Sequence, residues 1–265
     1  MKRKAQRMST SLLTGQRQAA IRERLASDGR VIAATMAREF AVSEDTIRRD
    51  LREMAAAGLC ERVYGGALPL APSGAPLASR QAEAGPAKAE LARVAAGILP
   101  RDGTIFIDAG STNIALARQI PPDLPATIVT NSPAVALAVP EAPGLRVVLV
   151  GGQFDPHTGA CLGAKAVSDA ERLCPDLVVL GACGVDPVEG VTAFSQEEAE
   201  FKRRMALSGR SVMVIATADK LGTVAPFRVI AASQMTRMVT EDDAEPALLA
   251  AFAEGGTDVI RVPVR

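Results

Sequence analysis

The stretch Ala41-Val-Ser-Glu-Asp-Thr-Ile-Arg-Arg-Asp-Leu-Arg-Glu-Met-Ala-Ala-Ala-Gly58 reads as a turn feeding a single helix. Ser43 suits the N-cap, where a side-chain oxygen accepts a free backbone N–H. Glu44 and Asp45 put negative charge on the first turn, where the helix dipole favours it. Gly58 suits a left-handed stop, so the expected helix runs from about 43 to 57. At 100° per residue, Ile47, Leu51, Met54 and Gly58 share one stripe, while Arg48, Arg52 and Arg49 lie roughly 100°, 140° and 160° from Ile47. Three guanidinium groups therefore face away from the core, and each can hold a phosphate or a guanine edge bidentately.

The flanks give this helix a context. Upstream, Gly15 to Ser27 reads as a first helix ended by Asp28-Gly29, and Val31 to Phe40 as a short second one with Met36, Ala37 and Phe40 inward. Ala41-Val42 is then a tight connection, which makes a helix-turn-helix. Downstream, Leu59 to Leu68 holds two short extended runs broken at Gly65-Gly66, as a small wing would. Residues 1–68 carry thirteen Lys/Arg against eight Asp/Glu, although the whole chain has zero net charge. The amino-terminal part is thus the basic half, as nucleic-acid binding requires.

A chain of 265 residues exceeds what one core usually holds, so a second domain is expected. Residues 69–85, rich in proline and small residues, are read as a linker, and residues 1–14 as a disordered basic tail. Pro86 fits the first position of a helix running to about Leu99. From Gly103, apolar runs alternate with helical segments: Thr104–Ile107, Thr127–Thr130, Arg146–Val150, Asp176–Leu180, Ser211–Ala216, Arg237–Thr240 and Asp258–Val262. Strands apolar throughout and separated by helices indicate a mostly parallel sheet covered on both faces. Gly151 to Gly163 is too short for a crossover helix and reads as a hairpin or flap. The fold class is therefore α/β: a winged helix-turn-helix over 15–68 and a mostly parallel α/β effector and oligomerisation domain over 86–265.

The loops after these strands carry chemistry. Asp108-Ala-Gly-Ser-Thr-Asn113 leads into a helix, with Gly110 for close approach and the Ser111 and Thr112 hydroxyls beside free helical N–H groups, an anion cradle. Asn131-Ser-Pro133 offers a second helix start, capped by Ser132. Gly151-Gly152, Gly181 to Asp186 and Asp219-Lys220 follow the next strands. Ligands of parallel sheets bind at the strands' carboxyl ends, so the loops converge on one site. The four cysteines are scattered and His157 is the single histidine, so neither structural metal nor disulfides are expected. No window approaches a membrane span. The basic start is not followed by an apolar run, so a cytoplasmic protein without cofactor is expected.

Val-Ser-x-x-Thr-Ile-Arg-Arg-Asp-Leu over 42–51, together with Gly-Leu-x-x-Arg-x-Tyr-Gly-Gly-Ala over 58–67, resembles the DeoR family of repressors that respond to sugar metabolites. The resemblance spans about residues 15–245. It implies a double-stranded DNA operator met by Ser43, Thr46, Arg48, Arg49 and Arg52; short DNA-binding modules gain specificity by pairing, so a homodimer or homotetramer is expected. It also implies a domain similar to ribose-5-phosphate isomerase that binds a phosphorylated sugar or related metabolite. Asp108, Gly110, Ser111, Thr112, Thr130, Asn131, Gly151, Gly152, Gly184, Asp186, Lys202 and Lys220 are then expected to line its pocket. Two departures leave the ligand open: Ser111-Thr112-Asn113 stands where the family has consecutive threonines, and Ala218-Asp219-Lys220-Leu221 where it has Ser-Lys-Phe.

Two rival classes stand beside a regulator. An isomerase needs a carboxylate base, and Glu197, Glu198 and Glu200 precede Lys202; they read as a solvated helix face, and the loop after the fourth strand holds one acid, Asp186, rather than a pair. A protein that grips only other proteins would leave the outward arginines unexplained.

Overall fold

The computed structural model describes residues 12–263 except Ser73 and Ala84, and divides the chain into two compact units, Met1–Leu70 and Ala71–Arg265. The expected basic tail lies outside the described residues up to residue 11.

The first unit comprises α1 (Thr14–Asp28), β1 (Val31–Ile32), α2 (Ala33–Phe40), α3 (Glu44–Ala56), β2 (Glu61–Val63) and β3 (Gly66–Leu68). Its core is Ile21, Leu25, Met36, Ile47, Leu51 and Met54, the stripe read from helical spacing. Ser43 caps α3 by accepting the Thr46 N–H at 3.2 Å, and Gly58 adopts φ +68° just beyond its end. The antiparallel sheet runs β1-β3-β2. A Cβ on Gly66 would sit 1.8 Å from the Val31 carbonyl oxygen, so the wing closes only on glycine. Periodicity gave no sign of one feature: Asp50, on α3, is buried and held by Arg17 of α1 through Nε–Oδ2 at 2.7 Å and Nη2–Oδ1 at 3.0 Å.

The second unit runs α4 (Leu77–Ala82), α5 (Pro86–Ala96), β4 (Gly103–Ile107), α6 (Ser111–Arg118), β5 (Ala126–Thr130), α7 (Pro133–Ala138), β6 (Leu145–Leu149), β7 (Gln153–Asp155), β8 (Ala160–Leu162), α8 (Ala164–Ala170), β9 (Leu177–Leu180), β10 (Gly184–Asp186), β11 (Gly190–Ala193), α9 (Gln196–Ser208), β12 (Val212–Ile215), β13 (Phe227–Ile230), β14 (Arg237–Glu241), α10 (Pro246–Glu254) and β15 (Asp258–Val262). Seven parallel strands form one sheet in the order β15-β14-β12-β9-β4-β5-β6. Alternate residues feed two cores. Phe106, Val129, Val178 and Val214 join Phe201 of α9 on one face; Ile105, Ile107, Ile128, Val179 and Met213 join Leu91 of α5 and Ile114 of α6 on the other.

Three differences from the sequence reading have physical reasons. The segment after Leu70 is not a free linker. Ala71 N–H donates to the Val224 carbonyl, and Leu77 N–H to that of His157; the Leu77 side chain is buried over Gly159, where a Cβ would meet it at 2.1 Å. One apolar anchor in a six-residue helix is too little for periodicity to reveal. The loop after β9 opens a second antiparallel sheet, β10-β11-β13, whose strands are only three or four residues long. Ser132 does not cap α7; its hydroxyl donates to the Gly159 carbonyl at 2.9 Å and fastens the β7–β8 hairpin.

Candidate functional site

The sheet order reverses between β4 and β9, because β5 and β6 lie on one side of β4 while β9, β12, β14 and β15 follow on the other. A crevice forms at the carboxyl ends of strands where successive connections diverge in this way. A small cavity lies there, lined among others by Gly110, Ser111, Thr112, Lys202, Lys220, Glu198 and Arg80. The backbone makes room for it. Gly110 takes φ +152° at the head of α6, and a Cβ on Gly181 would stand 2.4 Å from the Ala109 carbonyl oxygen, so the loops after β4 and β9 touch. The Ser111 and Thr112 side chains are buried at that helix N-terminus, whose partial positive charge favours anions.

Two lysines line the cavity and differ in chemistry. Lys202 is buried, and its Nζ meets Glu198 Oε1 at 2.6 Å, the Gly181 carbonyl at 2.8 Å and Asp108 Oδ2 at 3.2 Å. An ammonium has three donors, and all three are engaged. Burial alone would lower its proton affinity, but Asp108 and Glu198 overcome this and hold the proton more tightly than in free lysine. Burial pushes the Asp108 carboxyl up, against the pull of Lys202 and with that of Glu198. Asp108 Oδ2 accepts the Gly181 N–H at 2.9 Å, while its Oδ1 is buried without a hydrogen-bond partner.

Lys220, carried by the short turn Ala218–Lys220 after β12, donates from Nζ to the Ala182 carbonyl at 2.9 Å and meets no carboxylate among the described residues. Burial lowers its pKa; Cys183 and Asp219 oppose the shift, and Arg80 and Lys88 add to it. Glu241, at the end of β14, accepts the Ala218 N–H at 2.5 Å and so fixes the turn. The cavity thus has an acidic wall, where Glu198 and Asp108 enclose Lys202, and a basic one, where Lys220 and Arg80 meet no carboxylate among the described residues.

The remaining residues expected at the pocket lie elsewhere. Thr130 and Asn131 are fully buried at the end of β5: Thr130 Oγ1 accepts the Ser132 N–H, and the Asn131 carbonyl accepts the Cys161 N–H at 2.7 Å. Gly151 and Gly152 lead into the hairpin, where a Cβ on Gly152 would lie 2.5 Å from the Leu162 carbonyl oxygen. Gly184 packs against the Thr223 backbone, and Asp186 Oδ1 accepts the Val188 and Glu189 N–H groups to close the β10–β11 turn. Asn131, Gly151 and Gly152 hold the β7–β8 hairpin as a cover over the β5 end. That cover presents Thr158 to the cavity and sets His157 Nε2 2.5 Å from the Gly74 carbonyl. Arg80, Thr158 and Glu198 also line the cavity, outside the residues the sequence points to, and Cys183 does so within the expected loop Gly181 to Asp186. For Glu198 a signal existed, since it stands four residues before Lys202 on one helix face. In the first unit, Arg48, Arg49 and Arg52 are exposed on α3; Arg48 pairs with Glu44 at 2.6 Å and Arg49 with Glu53 at 3.3 Å, and Arg52 pairs with no carboxylate among the described residues.

No helix among the described residues is long and apolar enough to cross a membrane. Residues 83–242 match the DeoR C-terminal sensor domain family, and residues 17–71 match the DeoR-like helix-turn-helix domain. The HTH-type transcriptional regulator GlpR of Haloferax volcanii is 36% identical over 198 residues, covering 74% of this chain and 77% of the relative. The glycerol-3-phosphate regulon repressor of Escherichia coli K12 is 31% identical over 227 residues, covering 85% of this chain and 90% of the relative. Ribose 5-phosphate isomerase A from Neisseria gonorrhoeae is similar at 15% identity and a TM-score of 0.36, over 51% of this chain and 53% of that one, too loosely to bear on function. The two domain matches and the two regulators agree: the chain belongs to the DeoR family of helix-turn-helix transcriptional regulators.

Proposed function

We propose that the chain is a repressor of carbohydrate-metabolism genes, working in the cytoplasm as a homodimer or homotetramer, with α3 on double-stranded operator DNA and a phosphorylated sugar or related metabolite in the cavity. The observation that carries the effector reading is the contrast between the lysines: Lys220 lines the same cavity as the N-terminus of α6 and meets no carboxylate among the described residues, whereas Lys202 is saturated. A phosphate brings about two negative charges and fits the basic wall. Ser111, Thr112 and Thr158 offer hydroxyls, and Glu198 an acceptor, to the sugar. Relatives named for glycerol-3-phosphate and deoxyribose operons support a small phosphorylated or sugar-like effector.

A second reading, an isomerase-like enzyme, draws on Glu198, a carboxylate in the cavity wall. Its ion pair with Lys202 occupies it structurally, and we take the chain as a regulator without catalysis. The test is a thermal-shift screen of sugar phosphates, followed by operator titrations with and without the stabilising compound. A ligand at ~100 times its dissociation constant adds roughly 2.7 kcal/mol. Lys220→Ala is expected to bind operator like the wild type and to lose the response; an unchanged response would move the phosphate away from the basic wall. Turnover of the stabilising sugar phosphate would favour the enzyme instead.

A further inference from the structure

β6 is out of keeping with the rest of the sheet. A strand in a parallel sheet is normally covered on both faces, and its neighbour β5 is largely buried. β6 is an edge strand of sequence Leu-Arg-Val-Val-Leu, and successive side chains point to opposite faces. Val147 is 43% exposed, Val148 47% and Leu149 48%, so apolar surface is open on both sides of the same strand. Leu137 on α7, which packs against β6, is 89% exposed, and Phe154 on β7 is 51% exposed. The patch is therefore wider than one strand.

The two edges of the sheet differ. β15 carries Asp258 and Arg261 exposed, with Asp258 paired to Arg237 at 2.9 Å. Charge is a usual guard against edge-to-edge pairing. β6 has neither proline nor bulge; its register with β5 is unbroken from Ala126↔Leu145 to Thr130↔Leu149, and its single charge is Arg146. Its outer edge presents a regular row of N–H and C=O groups that pair with no other strand among the described residues.

We propose that β6 is the seam of a homodimer, in which a second copy of this chain pairs its own β6 antiparallel about a two-fold axis and continues the sheet. A two-fold contact uses the same stretch twice, so the stretch must be self-complementary. With the axis at Val148, Arg146 stands opposite the second copy's Val150 rather than its Arg146, and the like-charge opposition that destabilises cross-strand pairs is avoided. Val148 then covers its own copy on one face and Val147 covers Leu149 on the other, and Leu137 of α7, which packs against β6, extends the contact beyond the strands. This gives a face to the oligomer proposed above and rests on that part of the reading only, not on the effector.

Sedimentation velocity of the full chain tests it, with Val147→Lys and Val148→Lys on the two faces of the strand and Val188→Lys, at an exposed apolar residue away from the edge, as control. The wild type and the control are expected as dimers at micromolar concentration, and the two β6 variants at least tenfold weaker in association with unchanged far-ultraviolet circular dichroism. Hydrogen exchange supplies a readout without substitution: amides of residues 146–149 in the wild type should gain protection as concentration rises through the dimer range. A wild type that stays monomeric overturns both the oligomer and its seam. A dimer that survives both β6 substitutions, or β6 amides whose exchange ignores concentration, overturns the seam alone.

Discussion

Lys202 and Lys220 show how much a residue's partners decide. Removing the first leaves Asp108 and Glu198 facing each other in a buried site without their cation. Breaking a buried pair in this way costs about 3–5 kcal/mol, so Lys202→Ala is expected to lower the thermal midpoint sharply, whereas Lys220→Ala leaves it near the wild-type value. Lys220 also carries a pH signature. Its folded pKa is lowered from 10.5, so below 10.5 the unfolded state binds more protons and the ligand-free chain gains stability as pH rises towards that value. A bound phosphate restores the proton. Effector binding should therefore take up protons and weaken with rising pH at lower values than a free lysine would give. Calorimetric titrations between about pH 7 and 10, in buffers of different ionisation heat, measure both effects. On α3, the Arg48 and Arg49 ion pairs are exposed and weak, so both side chains can be released to DNA. Arg48→Ala or Arg49→Ala should cost about 1–3 kcal/mol on the operator and relax its preference at one position. Arg52→Ala should weaken specific and scrambled duplexes alike and reduce the salt slope by about one. Duplex titrations at several salt concentrations separate these outcomes.

The elements differ in how openly the sequence announces them. α3 is legible because its cap, charged first turn and glycine stop agree with its apolar stripe, and the strands of the large sheet are legible because burial on both faces demands unbroken apolar runs. α4 is hidden because its place depends on Gly159, eighty residues away in the chain. Glu198 is hidden among three glutamates on one helix: Glu197 is exposed and Glu200 pairs with Arg204 at 3.0 Å, so burial alone separates them. Asn131, Gly151 and Gly152 end strands and so point to the pocket in the sequence; nothing local reveals that the β7–β8 hairpin covers that end. The hidden α4 has a testable consequence. A fragment of residues 71–265 is expected to fold and to bind effector. One starting at Pro86 lacks both the buried Leu77 and Arg80 of the basic wall, and should melt lower and bind more weakly. Thermal melts and calorimetry of the two fragments decide it, and equal behaviour would return α4 to the status of a spacer.

For the molecule as a whole, the order of the large sheet sets a route of assembly. Every neighbouring pair but one joins strands that follow each other within that sheet; the exception is β4 with β9, where Ile105 lies beside Leu177, about seventy residues on. Closing so long a loop is the slow part of bringing strands together. Two sub-sheets, β4-β5-β6 and β9-β12-β14-β15, are thus expected to form first and to dock late. Val179→Ala, on the docking line, should mainly slow refolding, while Ile260→Val, on β15, should mainly speed unfolding; stopped-flow chevrons report the difference. The cavity straddles that same line, with Gly110 and Ser111 from one sub-sheet and Gly181 and Lys220 from the other. A half-docked chain has no complete site for a metabolite to hold, so the effector should leave the refolding rate alone and lengthen the lifetime of the folded state, acting as a brake on opening.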